Sequence, residues 1–572
     1  MNIFETNIGK ITLTKNHFVR SGGQASVYAK DGKAYKIYTD PNSALPISKI
    51  NELSAIENPD IIKPINILLD KDDKPIGYSM RFIDNNVVLC QLFTKSFKNR
   101  NGITTEIIQK LVEDIKVKIE HVHSKNILIV DLNEMNFLVK TPDFDISYFI
   151  DVDSYQTKSF KATFLMESVR DRHSKDFNEL TDWFSFGIIS CCLFTGIHPY
   201  RGKHPDFNGD PADILDKRMK ANVSIFNKDV TIPPVCSSFG VIPKNYLSWY
   251  KEVFEKGKRL PPPSIKDFVG IVVPAIFVKI ESDILNIKEL YKYDKDILEA
   301  FYINGFRVVK NKNECIINDK IEKELFLSSK VLITPKFNRM IFASIVNGKL
   351  SLYDNFFGKN IDVDINCQNV MLYNGRLYVK NIDNVYEIEF IELPTKTIAA
   401  ANVVCNIIEN ATQFFDGVIF QDILGSCFCS FFPEKKKHIQ FNLKELNEYI
   451  IIDAKYENNI LMVLANKTYI KDNKKNNQID KFIFNFSSSD YIFRKIENVF
   501  LEIDFIVLDN GVCVDNLGDG NLELFMNNCV GEQARKIQDD AVKNIKLLKN
   551  GTKVLFFKDK IIYSLETKKD KK

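Results

Sequence analysis

Apolar and polar positions alternate in short stretches at the start of the chain. Val27-Tyr28-Ala29 and Ala34-Tyr35-Lys36-Ile37-Tyr38 flank the polar turn Lys30-Asp31-Gly32-Lys33, which predicts a hairpin. Ile65–Leu69 and Gly77–Phe82, separated by Asp70–Pro75, predict a second one. From Thr104 to Ser124 the period changes. Ile107, Ile108, Leu111, Ile115, Ile119 and Val122 recur every three or four positions, the pattern of an amphipathic helix of about six turns. A small sheet therefore precedes a helical part. A segment from about Ser282 to Phe301 reads as a helical connector. Beyond it come short apolar strands punctuated by Asn and Gly.

Four phrases in that second half resemble one another: Val346-Asn347-Gly348-Lys349-Leu350, Tyr373-Asn374-Gly375-Arg376-Leu377, Asp509-Asn510-Gly511-Val512 and Lys549-Asn550-Gly551-Thr552. Asn-Gly suits tight hairpin turns, whose two central residues take positive φ. Strand pairs fall near residues 345, 378, 417, 463, 508 and 555, about 35 to 47 apart, and a propeller blade takes about 40 to 45 residues. The expectation is an all-β domain over 303–572, a β-propeller of six or seven blades, with a pair of β-sandwiches or an irregular β-fold as the alternatives.

Composition narrows the class. With 572 residues, 45% hydrophobic and 26% charged, the chain is globular and too long for one core. The 77 basic and 74 acidic residues leave +3, so no net field favours DNA or an anionic membrane. The basic runs Lys435-Lys436-Lys437, Lys474-Lys475 and Lys568–Lys572 read as solvated edges or frayed ends. No secretory signal is expected at Met1–Glu5. The longest apolar runs, Trp183–Ile197 and Phe268–Val278, fall short of a membrane span. Eleven scattered cysteines without metal-ligand spacing read as reduced thiols in a cytoplasmic protein.

Chemistry gathers in the first half. Ser21-Gly22-Gly23-Gln24-Ala25-Ser26-Val27 is a small-residue turn between strands, where backbone N–H groups can approach phosphate. A plain hairpin turn has the same composition, and no GxxxxGK[ST] sequence accompanies it. Nine residues past Val27, Lys36 sits in a strand. Asp131-Leu132-Asn133-Glu134-Met135-Asn136 is a polar loop between apolar stretches, and Ile150-Asp151-Val152-Asp153 puts acid directly after a strand. Thr181-Asp182-Trp183-Phe184-Ser185-Phe186-Gly187 then leads to Thr195-Gly196-Ile197-His198-Pro199-Tyr200, and Arg259 follows at the end of Phe254–Leu260.

Taken together and in this order, these segments resemble the protein kinase superfamily, and most closely a bacterial and phage-type branch of serine/threonine-kinase-like proteins. The resemblance covers roughly residues 15 to 270. It implies an α+β bilobal domain over 1–275, with an N-lobe of about 1–90 and a C-lobe of about 91–275, then a connector over 276–302. It further implies ATP and Mg²⁺ as cofactors. Ser21, Gly22, Gly23 and Val27 would cover the nucleotide and Lys36 would hold its α- and β-phosphates. Asn136 and Asp151 would hold the metal, and Asp131 would orient a Ser or Thr hydroxyl. Glu52, or alternatively Glu57, would pair with Lys36, and Glu167 with Arg259. The family's His-Arg before the catalytic Asp is Ile129-Val130 here, and its Lys two residues after that Asp is Asn133, one cation fewer for the γ-phosphate. Asp153 replaces a glycine and reads as a second metal ligand or a solvated turn residue. Thr157, Ser159, Thr163, Ser168 and Ser174 are hydroxyls open to autophosphorylation, or ordinary loop residues. The rival expectation is a catalytically silent kinase fold serving as a nucleotide-sensing scaffold. In either case a protein partner or substrate would dock on the β-domain.

Overall fold

The computed structural model describes residues 1–22, 25–162, 165–233, 235–264, 282, 284–311, 314–322, 329–471, 474–497, 499, 502–518, 520–531 and 534–568. Gly23, Thr163 and the run Phe268–Val278 lie outside these.

The N-terminal region is mixed α and β. Its strands are β1 (Asn2–Glu5), β2 (Gly9–Thr12), β3 (Phe18–Ser21), β4 (Ala25–Lys30), β5 (Lys33–Tyr38), β6 (Asn66–Leu69) and β7 (Pro75–Arg81). They form one sheet in the order β2-β1-β6-β7-β5-β4-β3. Both expected hairpins are present, as β4–β5 and β6–β7. A Cβ on Gly77 would stand 2.0 Å from the Lys36 carbonyl oxygen, so this glycine lets β7 close on the strand that carries Lys36.

Helix α1 (Ile47–Leu53) follows β5, and α2 (Lys95–Arg100), α3 (Thr105–His123), α4 (Glu179–Thr195), α5 (Pro211–Ala221) and α6 (Lys244–Phe254) build the layer below. In α3 the hydroxyl of Thr104 accepts from the Ile107 N–H, and Ile108, Leu111, Ile115, Ile119 and Val122 are buried, the face that the periodicity predicts. Helix α4 is buried on every side from Thr181 to Thr195 and forms the centre of this core. Gly187 lets Trp249 and Phe254 of α6 close on it, since a Cβ there would lie 3.1 Å from one ring and 3.2 Å from the other. Three short strands, β8 (Asn86–Val88), β9 (Phe137–Lys140) and β10 (Ser147–Phe149), form a small sheet in the order β10-β9-β8, and β9 directly follows the polar loop.

The expected partner of Arg259 is corrected. Arg259 makes two parallel bonds to Asp171, Nε to Oδ2 at 2.5 Å and Nη2 to Oδ1 at 2.6 Å, over the ring of Phe184. Glu167 pairs with Arg170 and Arg172 instead. Asp171 gives one oxygen to Nε and the other to Nη2, the bidentate pairing that a guanidinium favours.

The C-terminal region is all β. Among the described residues it comprises seven four-stranded antiparallel sheets in succession, and the leading strands Lys330–Ile333, Asn369–Tyr373, Thr412–Phe415 and Ile450–Glu457 of four consecutive sheets contact one another in turn. One sheet takes three strands from the end of the chain, Lys546–Asn550, Lys553–Lys558 and Ile561–Thr567, and its fourth from Leu285–Lys292. The helical connector is therefore corrected: Leu285–Lys292 and Glu299–Ile303 are strands, so the all-β region starts near 285 rather than 303. Leu285, Ile287 and Tyr291 lie along a strand hydrogen-bonded to Ile561–Thr567, with a bulge between Glu289 and Tyr291 that obscures the period of two. Asn347-Gly348 and Asn374-Gly375 have positive φ at both residues, as the tight turns require, whereas at 510–511 and 550–551 only the glycine does.

The two regions share a core. Val88, Cys90 and Met135 pack with Ile452, Ile460, Met462, Leu464 and Ile483. Arg100 at the end of α2 binds Asp416 at 3.0 Å and Asp453 at 2.7 Å, and Gln91 donates to the Ile452 carbonyl.

Asp171 is almost fully buried. Burial opposes its ionisation, but the Arg259 guanidinium outweighs that and holds the carboxyl below the usual range. A carboxylate depressed in the folded state stabilises above its unfolded pKa of about 4 and loses that contribution as pH falls through the folded value. Asp171→Asn should therefore cost about 3–5 kcal/mol at pH 7 in urea unfolding and flatten the acid limb of the stability curve. Glu167→Gln should cost less.

Candidate functional site

The strand bearing Lys36 and the turn after β10 meet at a set of charges. Lys36 Nζ lies 2.5 Å from Asp151 Oδ1 and 3.0 Å from Asp153 Oδ2. Asp153 also accepts from the hydroxyls of Tyr38 at 2.6 Å and Tyr78 at 2.8 Å, while Lys49 of α1 donates to its carbonyl. Asp153 is thus neither a solvated turn residue nor free for a metal. Together with Asp151 it is a counter-ion of Lys36. Glu52, expected in that role, instead accepts from the Ser159 N–H, and Glu57 pairs with Lys125. Helix α1 ends at Leu53 and turns Lys49 and Ile50, not Glu52, toward the interior, which is why the glutamate misses.

Burial disfavours the Lys36 ammonium, but the two aspartates more than compensate, and its pKa lies above the ordinary lysine value. Lys36 in turn pulls Asp151 down to about 2, against the effect of burial. Asp151 itself sits at φ +61°, a conformation that costs a non-glycine residue energy.

The polar loop is held from beneath. Asp182 at the start of α4 accepts the N–H groups of Ile129 and Val130, each at 2.9 Å, and lies 2.9 Å from His123 Nε2. Val130 has φ +64°, strongly disfavoured for a β-branched side chain, and the Asp182 bonds offset that strain. Asp131 follows directly. Its Oδ1 accepts from Asn133 Nδ2 at 2.9 Å and from the Met166 N–H at 2.8 Å, and its Oδ2 accepts from Lys475 Nζ at 2.5 Å. Asn136 Nδ2 donates to the Asp131 carbonyl at 2.9 Å, and the Ile150 N–H to the Asn136 carbonyl at 3.0 Å, which ties the loop to the strand that delivers Asp151.

Sequence reasoning missed Lys475. Its run reads as a solvated edge, yet Lys475 crosses from the all-β region to Asp131. Nothing in the local pattern signals it. Lys435 and Lys436 do lie at an edge, paired with Glu389.

A cavity of about 2260 Å³ opens between the two regions. Ser21, Gly22, Val27, Lys36, Asp131, Asn136 and Asp151 all line it, as does Lys475, whereas Glu52 does not. At the small-residue turn Gly22 N–H bonds to the Ala25 carbonyl, and Ser21 and Ser26 hydroxyls lie 2.9 Å apart.

Among the described residues, no three His, Cys, Asp or Glu side chains converge as a metal cage. Among the described residues, no hydrogen-bond donor falls on Asp151 Oδ2 or Asn136 Oδ1, which remain as oxygen ligands. Two such oxygens fit Mg²⁺, which takes its other ligands from water and substrate phosphate. Among the described residues no helix is long and apolar enough to cross a membrane. No protein-family model matches the chain, and no curated protein is similar to it.

Asp182→Ala should leave two buried N–H groups unpaired beneath a strained Val130. The expected cost is about 3 kcal/mol or more in urea unfolding, because bonds to a charged acceptor are worth about 1.5–3 kcal/mol each.

Proposed function

We propose that the chain is an ATP- and Mg²⁺-dependent phosphotransferase of the protein kinase type, acting on Ser or Thr hydroxyls of a protein. The observation that carries this reading is that Lys36, Asp131, Asn136 and Asp151, scattered over more than 100 residues of sequence, line one cavity, with Lys36 on Asp151, Asn136 on Asp131, and the residue before Asp151 bonded to Asn136. Lys36 would hold the α- and β-phosphates, under the turn at Ser21-Gly22. Asp151 and Asn136 would hold the metal, which supplies positive charge to the phosphate oxygens. Asp131 would align the acceptor hydroxyl.

In the transfer, the acceptor oxygen bonds to the γ-phosphorus while the bond from that phosphorus to the bridging oxygen breaks. The bond's electron pair leaves with ADP, and the hydroxyl proton passes to Asp131 and then to solvent. Most of the acceleration comes from alignment and charge neutralisation. The seven sheets support a seven-bladed β-propeller, closed by pairing the first of its strands with the last, and a platform for a protein partner or substrate. Free, mostly buried thiols support a cytoplasmic setting.

A second reading has an observation of its own. Asp131 is 3% exposed and both its oxygens are engaged, which suits a fold that binds nucleotide without transferring phosphate.

Incubation with ATP carrying a labelled γ-phosphate decides between the two. Catalysis predicts Mg²⁺-dependent labelling of a protein acceptor that falls by about 10²-fold or more in Asp131→Ala. A silent fold predicts Mg²⁺–ATP stabilisation against heat and no labelling.

A further inference from the structure

We propose that Lys475 completes the phosphate site from the all-β region: its ammonium takes the terminal phosphate of the nucleotide and, in doing so, leaves Asp131 free for the acceptor. This inference rests on the nucleotide reading above and assigns it a residue from the other half of the chain.

The loop Asp131–Asn136 contains no basic residue. Among the described residues, Lys475 is the lysine or arginine that reaches Asp131, at 2.5 Å. It belongs to the same charge set as the rest of the site, because the fields of both Asp131 and Asp151 act on its ammonium and that of Lys36 opposes it. Burial works against the charge, yet the aspartates raise the Lys475 pKa above the ordinary value. A triphosphate entering this cavity offers Lys475 a more highly charged partner than one carboxylate, and a four-carbon side chain can change partners without moving its backbone.

The backbone is held in place. Lys475 forms an isolated parallel bridge with Met166, its carbonyl accepts the Glu167 N–H at 2.9 Å, and Asn477 donates to Glu134 at 2.6 Å. The long hairpin that carries it, Ile460–Lys471 paired with Lys474–Phe486, is rooted through Ile460, Met462, Leu464 and Ile483 in the core shared with Val88, Cys90 and Met135, and Asn466 reaches the Met135 sulfur. A removable plug would have to expose that apolar surface each time it opened. A fixed arm that presents one flexible ammonium has no such cost.

An ATP acyl-phosphate probe transfers its acyl group to a lysine amine beside the terminal phosphate, forming an amide as the nucleotide leaves. With the wild-type full chain and peptide mass spectrometry, Lys475 should be acylated and protected by Mg²⁺–ATP. In Lys475→Met, affinity for ATP should fall about tenfold or more while that for ADP stays unchanged, as measured by calorimetry. Acylation of Lys36 without Lys475, an unchanged ATP-to-ADP affinity ratio, or faster turnover in Lys475→Met would each overturn the proposal while leaving the nucleotide reading intact. If Mg²⁺–ATP neither binds nor protects any lysine of the wild-type chain, the nucleotide reading fails and this proposal fails with it.

Discussion

The site is organised by the cost of burying charge. Lys36, Lys49, Asp131, Asp153 and Asp182 all sit in surroundings largely closed to water, and an unpaired ion there would be expensive. Each therefore requires a partner delivered from elsewhere in the chain. Lys36 brings β5 against the turn after β10, Asp153 draws in Tyr38, Tyr78 and Lys49, and Asp182 anchors the loop below Asp131. The geometry of the cavity wall follows from satisfying these ions.

The same constraint makes the all-β region part of the site. Asp131 is buried on one side by Met166 and neutralised on the other by Lys475. With Arg100 held by Asp416 and Asp453, and a hydrophobic cluster drawn from both halves, the two regions meet through charge and packing together. An all-β region packed only through its apolar cluster would leave Asp131 without this cation. Here the all-β region supplies a charged side chain to the cavity, directly on Asp131.

Much of the framework was legible in the residues. The hairpins at Lys30–Lys33 and Asp70–Pro75, the helix from Thr105 and the Asn-Gly turns come from local period and turn chemistry, which operate over a few residues. Lys36, Asp131, Asn136 and Asp151 were singled out from the order of several short segments, none of which carries the reading alone, and all four line one cavity. Glu52, Glu167 and the helical connector were misread for one reason: each depended on what lies opposite in space. Choosing among Glu52, Glu57 and Asp153 as partner of Lys36 needs the orientation of α1, and choosing between Glu167 and Asp171 for Arg259 needs the plane of a guanidinium.

By itself the sequence determined the two N-terminal hairpins, the helix from Thr105, and which polar residues stand beside strand ends, because backbone conformation there answers to near neighbours. Only the tertiary structure decided the counter-ion of Lys36, the anchoring of the loop by Asp182, and the arrival of Lys475 at Asp131 from 344 residues away. Coulombic pairing in a buried cleft acts across space, and no spacing along the chain encodes it.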